Sequence, residues 1–129
     1  MSNAALCFMV PGPPVPKGRP RTFLRGGRPR TITPPKTKAF ERKVAQYALV
    51  ARQEAGWRLL KTGDVALTCY FWPKGKRRFD LDNAIKSVAD GLEGVLYAND
   101  RQVIEMRGEV CPWTANGTEP RTEVEVERR

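Results

Sequence analysis

Apolar and polar positions alternate along this chain in two different rhythms. Val65-Ala66-Leu67-Thr68-Cys69-Tyr70-Phe71 is nearly continuous and rich in β-formers. A run apolar on both faces predicts a strand in the interior of a sheet. Leu6-Cys7-Phe8-Met9-Val10 is a second such run, stopped by Pro11-Gly12-Pro13-Pro14. Near the end, Val124 and Val126 alternate with glutamates, which predicts a strand over 122–127 with one wet face. Val103 to Cys111 reads as a further strand, broken by Gly108. Two segments switch to the helical period. Phe40, Val44, Tyr47, Ala48 and Ala51 predict a helix capped by Thr37, running to about Glu54 and ended by Gly56. Ile85, Val88, Ala89 and Leu92 predict a second, capped by Asp82 or Asn83. Gly26-Gly27 sits between Thr22-Phe23-Leu24 and Thr31-Ile32, as in a small hairpin.

Strands and helices mix without strict alternation, repeat or linker. The expected fold is α+β: one domain over 1–129, a small mixed sheet packed with two main helices. Ser2-Asn3-Ala4 resembles a cloning scar, so 1–4 stay outside the fold argument. Residues 11–36 form a basic, Pro/Gly-rich loop region around the hairpin.

With 129 residues, a core can form without staples. The absence of histidine excludes Ser-His-Asp and Cys-His triads and imidazole metal ligands. Cys7, Cys69 and Cys111 are too scattered for a CxxC zinc pair or a disulfide framework. No apolar run approaches the length of a membrane span, and no basic start leads into an apolar signal stretch. The expectation is a cytoplasmic protein without membrane or nucleotide-cofactor partners.

Charge then changes the picture. The net charge is +9, and residues 1–43 account for it, with ten basic side chains against Glu41 alone. The remainder balances at thirteen of each sign, yet holds a second basic focus at Lys74, Lys76, Arg77 and Arg78. Basic stretches concentrated in non-periodic loops point to a polyanion, here nucleic acid. Lys17, Arg19 and Arg21 with Lys74, Lys76, Arg77 and Arg78 are the candidate DNA contacts. Few aromatics are interleaved, which argues against a single-strand stacking platform.

Beside the second focus stand Asp80 and Asp82. In an extended chain they point to one side, about 6.6 Å apart. A divalent cation relieves their repulsion, and Mg²⁺ suits carboxylates plus phosphate oxygens. The helix starting near 83 aims its positive end at the same place. Lys86, one turn in, is in reach of a phosphate, and Asp100, in the turn before the 103–111 strand, is in reach of the site as a third ligand. The blander roles are a helix cap for Asp82, an i,i+4 surface pair for Lys86 and Asp90, and a turn residue for Asp100. Nucleases without histidine commonly combine metal, carboxylates and a lysine.

The order Asp80-Leu81-Asp82-Asn83-x-x-Lys86, then Asp90-x-Leu92, then Asn99-Asp100-x-Gln102-Val103, resembles the RusA-type Holliday junction resolvases, phage and bacterial endodeoxyribonucleases. The likeness runs from the Lys17-Gly18-Arg19-Pro20-Arg21 stretch to the end of the 103–111 strand. It implies that Asp80, Asp82 and Asp100 bind Mg²⁺ or Mn²⁺, that Lys86 is essential, and that a homodimer cuts opposed strands of a four-way DNA junction. Asn99 stands where that family usually has a first aspartate. Leu96 and Tyr97, or an edge at Val124–Val126, are the expected apolar surface for a dimer. A non-catalytic DNA-binding protein would keep the basic loops without needing the three aspartates. A restriction-type nuclease would use Glu41-Arg42-Lys43, but no aspartate precedes it.

Overall fold

The computed structural model describes residues 5–75, 78–112 and 119–129. Its order is β1 (Ala5–Pro11), β2 (Arg21–Arg25), β3 (Arg28–Ile32), α1 (Pro35–Ala55), β4 (Val65–Trp72), α2 (Leu81–Leu92), a 3₁₀ turn (Asp100–Gln102), β5 (Val103–Val110) and β6 (Arg121–Arg128). Four strands form one mixed sheet, ordered β1-β6-β4-β5. β6 pairs antiparallel with β1 and β4, whereas β5 pairs parallel with β4. β2 and β3 form the expected hairpin around Gly26-Gly27, exposed along its whole length. The fold is α+β, with the two expected helices.

β4 is interior, as its continuous apolar run requires, and Val65, Leu67, Cys69 and Phe71 are fully buried. They meet Phe40, Val44 and Ala48 of α1 and Ala84, Ile85, Val88 and Leu92 of α2 in a single core. Burial pushes the Cys69 thiol up to about 12. β6 alternates as expected: Thr122, Val124 and Val126 face the core, and its glutamates lie half-buried on the opposite face. The parallel β4–α2–β5 unit makes α2 the crossover. α2 therefore runs antiparallel to both strands, with its start over their C-terminal ends.

Four local expectations need correction. Thr37 does not cap α1: the helix begins at Pro35, and Thr37 lies inside it, 1% exposed, with its hydroxyl accepting the Gly18 N–H at 3.0 Å. Proline at the first helical position already has the right backbone angle and leaves no N–H to satisfy. The cap of α2 is Asp80, not Asp82 or Asn83. Gly108 does not break β5. It lies under Ile85 and Leu81 of α2, where a side chain would collide with both. Finally, Leu96 and Tyr97 are fully buried and β6 is an interior strand, so neither offers a dimer surface.

Candidate active site

The start of α2 gathers most of the expected chemistry. Asp80 closes the helix end with both oxygens: one accepts the Asn83 backbone N–H at 3.1 Å, the other its side-chain amide at 2.7 Å. Asp82 falls in the first turn, so the alternation of an extended chain does not apply to the pair. The carboxylate of Asp82 is 80% exposed and stands 3.4 Å from the Lys86 ammonium, itself 55% exposed. An ion pair this wet is weakly held and opens readily to another charge. The unpaired N–H groups of this helix end add a partial positive charge in the same place.

Lys86 does not pair with Asp90. The latter's carboxylate instead forms an ion pair with Lys17, from 73 residues away. That hydrogen bond holds the Lys17 ammonium above its ordinary pKa, outweighing the opposing effect of burial. The Lys17 backbone N–H also donates to the Asn83 carbonyl at 2.9 Å. Next to it, Gly18 sits so close to Pro34 and Thr37 that an added Cβ would lie 2.9 Å from the proline ring. The Lys17-Gly18 dipeptide is thus clamped between α1 and α2. The clamp forms a shallow pocket lined by Lys17, Gly18, Arg19, Pro20, Asn83 and Lys86. No local pattern in the chain signals this clamp, because Lys17 and Asp90 meet only through the packing of a loop on a helix.

Of the other expected DNA contacts, Arg19, Arg21, Lys74 and Arg78 are exposed, and Lys76 and Arg77 lie outside the described residues. Phe79, beside Arg78, is anchored against Phe71 with ring centroids 5.4 Å apart.

Asp100 is elsewhere. Its backbone N–H donates to the Glu93 carboxylate at 2.7 Å, and Glu93 caps the far end of α2. Twelve helical residues span about 18 Å, so Asp100 stands roughly one helix length from Asp80. Asn99 accepts the Arg101 N–H at 2.9 Å, and Gln102 completes a capping box around the turn. An aspartate in place of Asn99 would accept the same bond. Among the described residues, no three Asp, Glu or Cys side chains lie close enough to share one metal ion.

Residues 11–127 match the family model described as Endodeoxyribonuclease RusA. The chain belongs to the RusA endodeoxyribonuclease family. It is also similar to the uncharacterized protein YqaN of Bacillus subtilis (strain 168), 30% identical across 92% of this chain and 93% of that one. Membership in the RusA family supports a nuclease acting on DNA. The α2 start, the clamped loop and Asp100 all fall within the one matched region. No helix among the described residues is long and apolar enough to cross a membrane.

Proposed function

We propose that this RusA-family chain is a metal-dependent endonuclease that binds four-way DNA junctions as a homodimer and cuts two opposed strands. The observation that carries the reading is the start of α2. There two exposed carboxylates and a lysine share the first turns of one helix, beside a basic loop pinned by the Lys17–Asp90 pair.

Asp80 and Asp82 fit a hard divalent cation such as Mg²⁺ or Mn²⁺, which usually takes one or two protein carboxylates and fills its shell with water and phosphate oxygens. Such a cation supplies Lewis-acid stabilisation of the phosphate under attack. The protein's own groups do the rest. Asn83 fixes the orientation of the Asp80 carboxylate through two hydrogen bonds. Lys86, released from Asp82 when a phosphate arrives, stabilises the charge that develops on it. The helix start and Arg19 hold the neighbouring backbone, with Lys74 and Arg78 extending the track.

Because Asp100 lies a helix length away in its own chain, we take it to serve the Asp80–Asp82 pair of the other copy. A two-fold dimer then carries two complete centres, matching the two opposed strands of a junction. Mixing variants tests this reading. Asp82→Asn and Asp100→Asn are each expected to be inactive on a synthetic four-way junction with Mg²⁺. Refolded together, they should regain nicking activity, because half of one mixed dimer is intact. Binding without cleavage by the unaltered protein would leave a non-catalytic junction-binding protein.

A further inference from the structure

The exposed edge of the sheet identifies where the second copy docks. β5 is a full eight-residue edge strand, and no strand among the described residues pairs with its outer side. It also carries apolar side chains that a solvated edge does not need: Ile104 is 59% exposed, Met106 48% and Val110 38%. Natural edges of this length are usually blunted by prolines or inward charges, or covered. β1, the opposite edge, ends in Pro11 and exposes one large apolar side chain, Met9.

We propose that the β5 strands of two copies pair antiparallel about a two-fold axis at Met106, joining the two sheets into one of eight strands. The inference rests on the dimeric reading above and adds its surface and register. A two-fold axis normal to the sheet sets a residue opposite its own copy. Its neighbours on either side then face each other across the axis. Centring on Glu105 would oppose two glutamates, and centring on Arg107 two arginines, both repulsive at cross-strand distance. Centring on Met106 sets Glu105 against the partner's Arg107, twice by symmetry. Ile104 then faces the partner's Gly108, which has no side chain of its own. The same direction of pairing carries the start of β5, where Asp100 sits, toward the end of the partner's β5. Over that end stands the start of α2 with Asp80 and Asp82, since Leu81 and Ile85 lie on Gly108. One interface therefore closes an exposed apolar edge, pairs opposite charges and completes the carboxylate set.

Site-directed crosslinking tests the proposal. In a Cys7→Ser, Cys111→Ser background, Met106→Cys should form a disulfide-linked dimer in more than half of the chains on mild oxidation. Met9→Cys, equally exposed on the far edge, should remain uncrosslinked. Ile104→Lys should shift the otherwise unaltered protein from dimer to monomer mass in sedimentation without lowering its Tm by more than a few degrees. A dimer that crosslinks through Met9→Cys but not Met106→Cys would overturn the surface, and so would a monomer mass for the unaltered protein. Junction cleavage scored on the same samples separates the two claims. A Met106→Cys crosslink in a protein that never cuts DNA upholds the interface and removes the nuclease reading. Cleavage by a protein lacking the crosslink does the reverse.

Discussion

The two ends of α2 are built on opposite principles. At its far end nearly every polar group is taken. Tyr97 donates to the Ala89 carbonyl at 2.7 Å, and burial pushes its phenol well above the ordinary range. Trp57 donates to the Leu96 carbonyl, Arg52 to the Val95 carbonyl, and the Gln102 amide to Leu60 and Gly63. At its near end Asp82 and Lys86 are held only by each other, mostly in water. The first end is a rigid frame that presents Asp100. The second is a set of charges left available. A protein of this size cannot leave both ends loose and keep its fold, so placing the reactive groups at the open end is what the bonded end permits.

The largest expected effect breaks the open end. Asp82→Asn keeps the volume and the helix but removes the charge a cation needs. Cleavage of a four-way junction should fall by a factor of about 10³ or more, while junction binding, held by lysines and arginines, stays near normal. Single-turnover rates beside a gel-shift titration would read the two separately. Cleavage at the unaltered rate would remove Asp82 from the site.

Lys86→Ala should cost less, about 10²–10³ in rate with little loss of affinity, as for other groups that stabilise transition-state charge. Equal losses in binding and rate would make Lys86 a ground-state phosphate ligand.

Next comes the basic track. Neutralising Lys74, Lys76, Arg77 and Arg78 together should reduce the slope of log K against log salt by about 0.9 for each phosphate that these side chains neutralise. An unchanged slope would turn that loop away from DNA and leave the affinity to Arg19, Arg21 and the hairpin.

At the bonded end, Tyr97→Phe should lower stability by about 1 kcal/mol, the usual net worth of such a hydrogen bond. Urea unfolding would show it, and the cleavage rate per folded molecule should not move. A drop in rate without a drop in stability would mean that this end also takes part in the chemistry.

The contrast between the ends also explains what can be read from sequence. The elements are legible because burial imposes periodicity: Val65–Phe71 on a central strand, Ile85, Val88 and Leu92 on the core face of α2. The open end is legible because Asp80, Asp82 and Lys86 are close in the chain. The capping residue is not, since Asp80, Asp82 and Asn83 are all good caps and only backbone geometry chooses Asp80. The Lys17–Asp90 clamp and the distance of Asp100 depend on how a loop and a crossover helix pack, and no local pattern encodes either.

The smallest predicted effect concerns the clamp. Glu41 of α1 is half-buried near Asp90, and its carboxyl lies above the ordinary value of 4.5, first because burial penalises its charge and then because Asp90 repels it. The folded state therefore holds the Glu41 proton more tightly than the unfolded chain does. Its contribution to stability is fully present below the unfolded value and is lost as pH rises through the higher folded one. At neutral pH the charge is a net cost, one that nearby Lys17 and Lys38 reduce but do not cancel. Glu41→Gln should accordingly stabilise the protein at pH 7 and make no difference near pH 3. Solvent screening of a half-exposed group keeps the gain under about 1 kcal/mol. Thermal melts of both proteins between pH 3 and pH 7 would show a Tm difference that opens with rising pH. A difference that opens instead toward low pH would mean that Glu41 is held charged, by Lys17 or Lys38, and that the clamp is a three-membered charge network rather than a single pair.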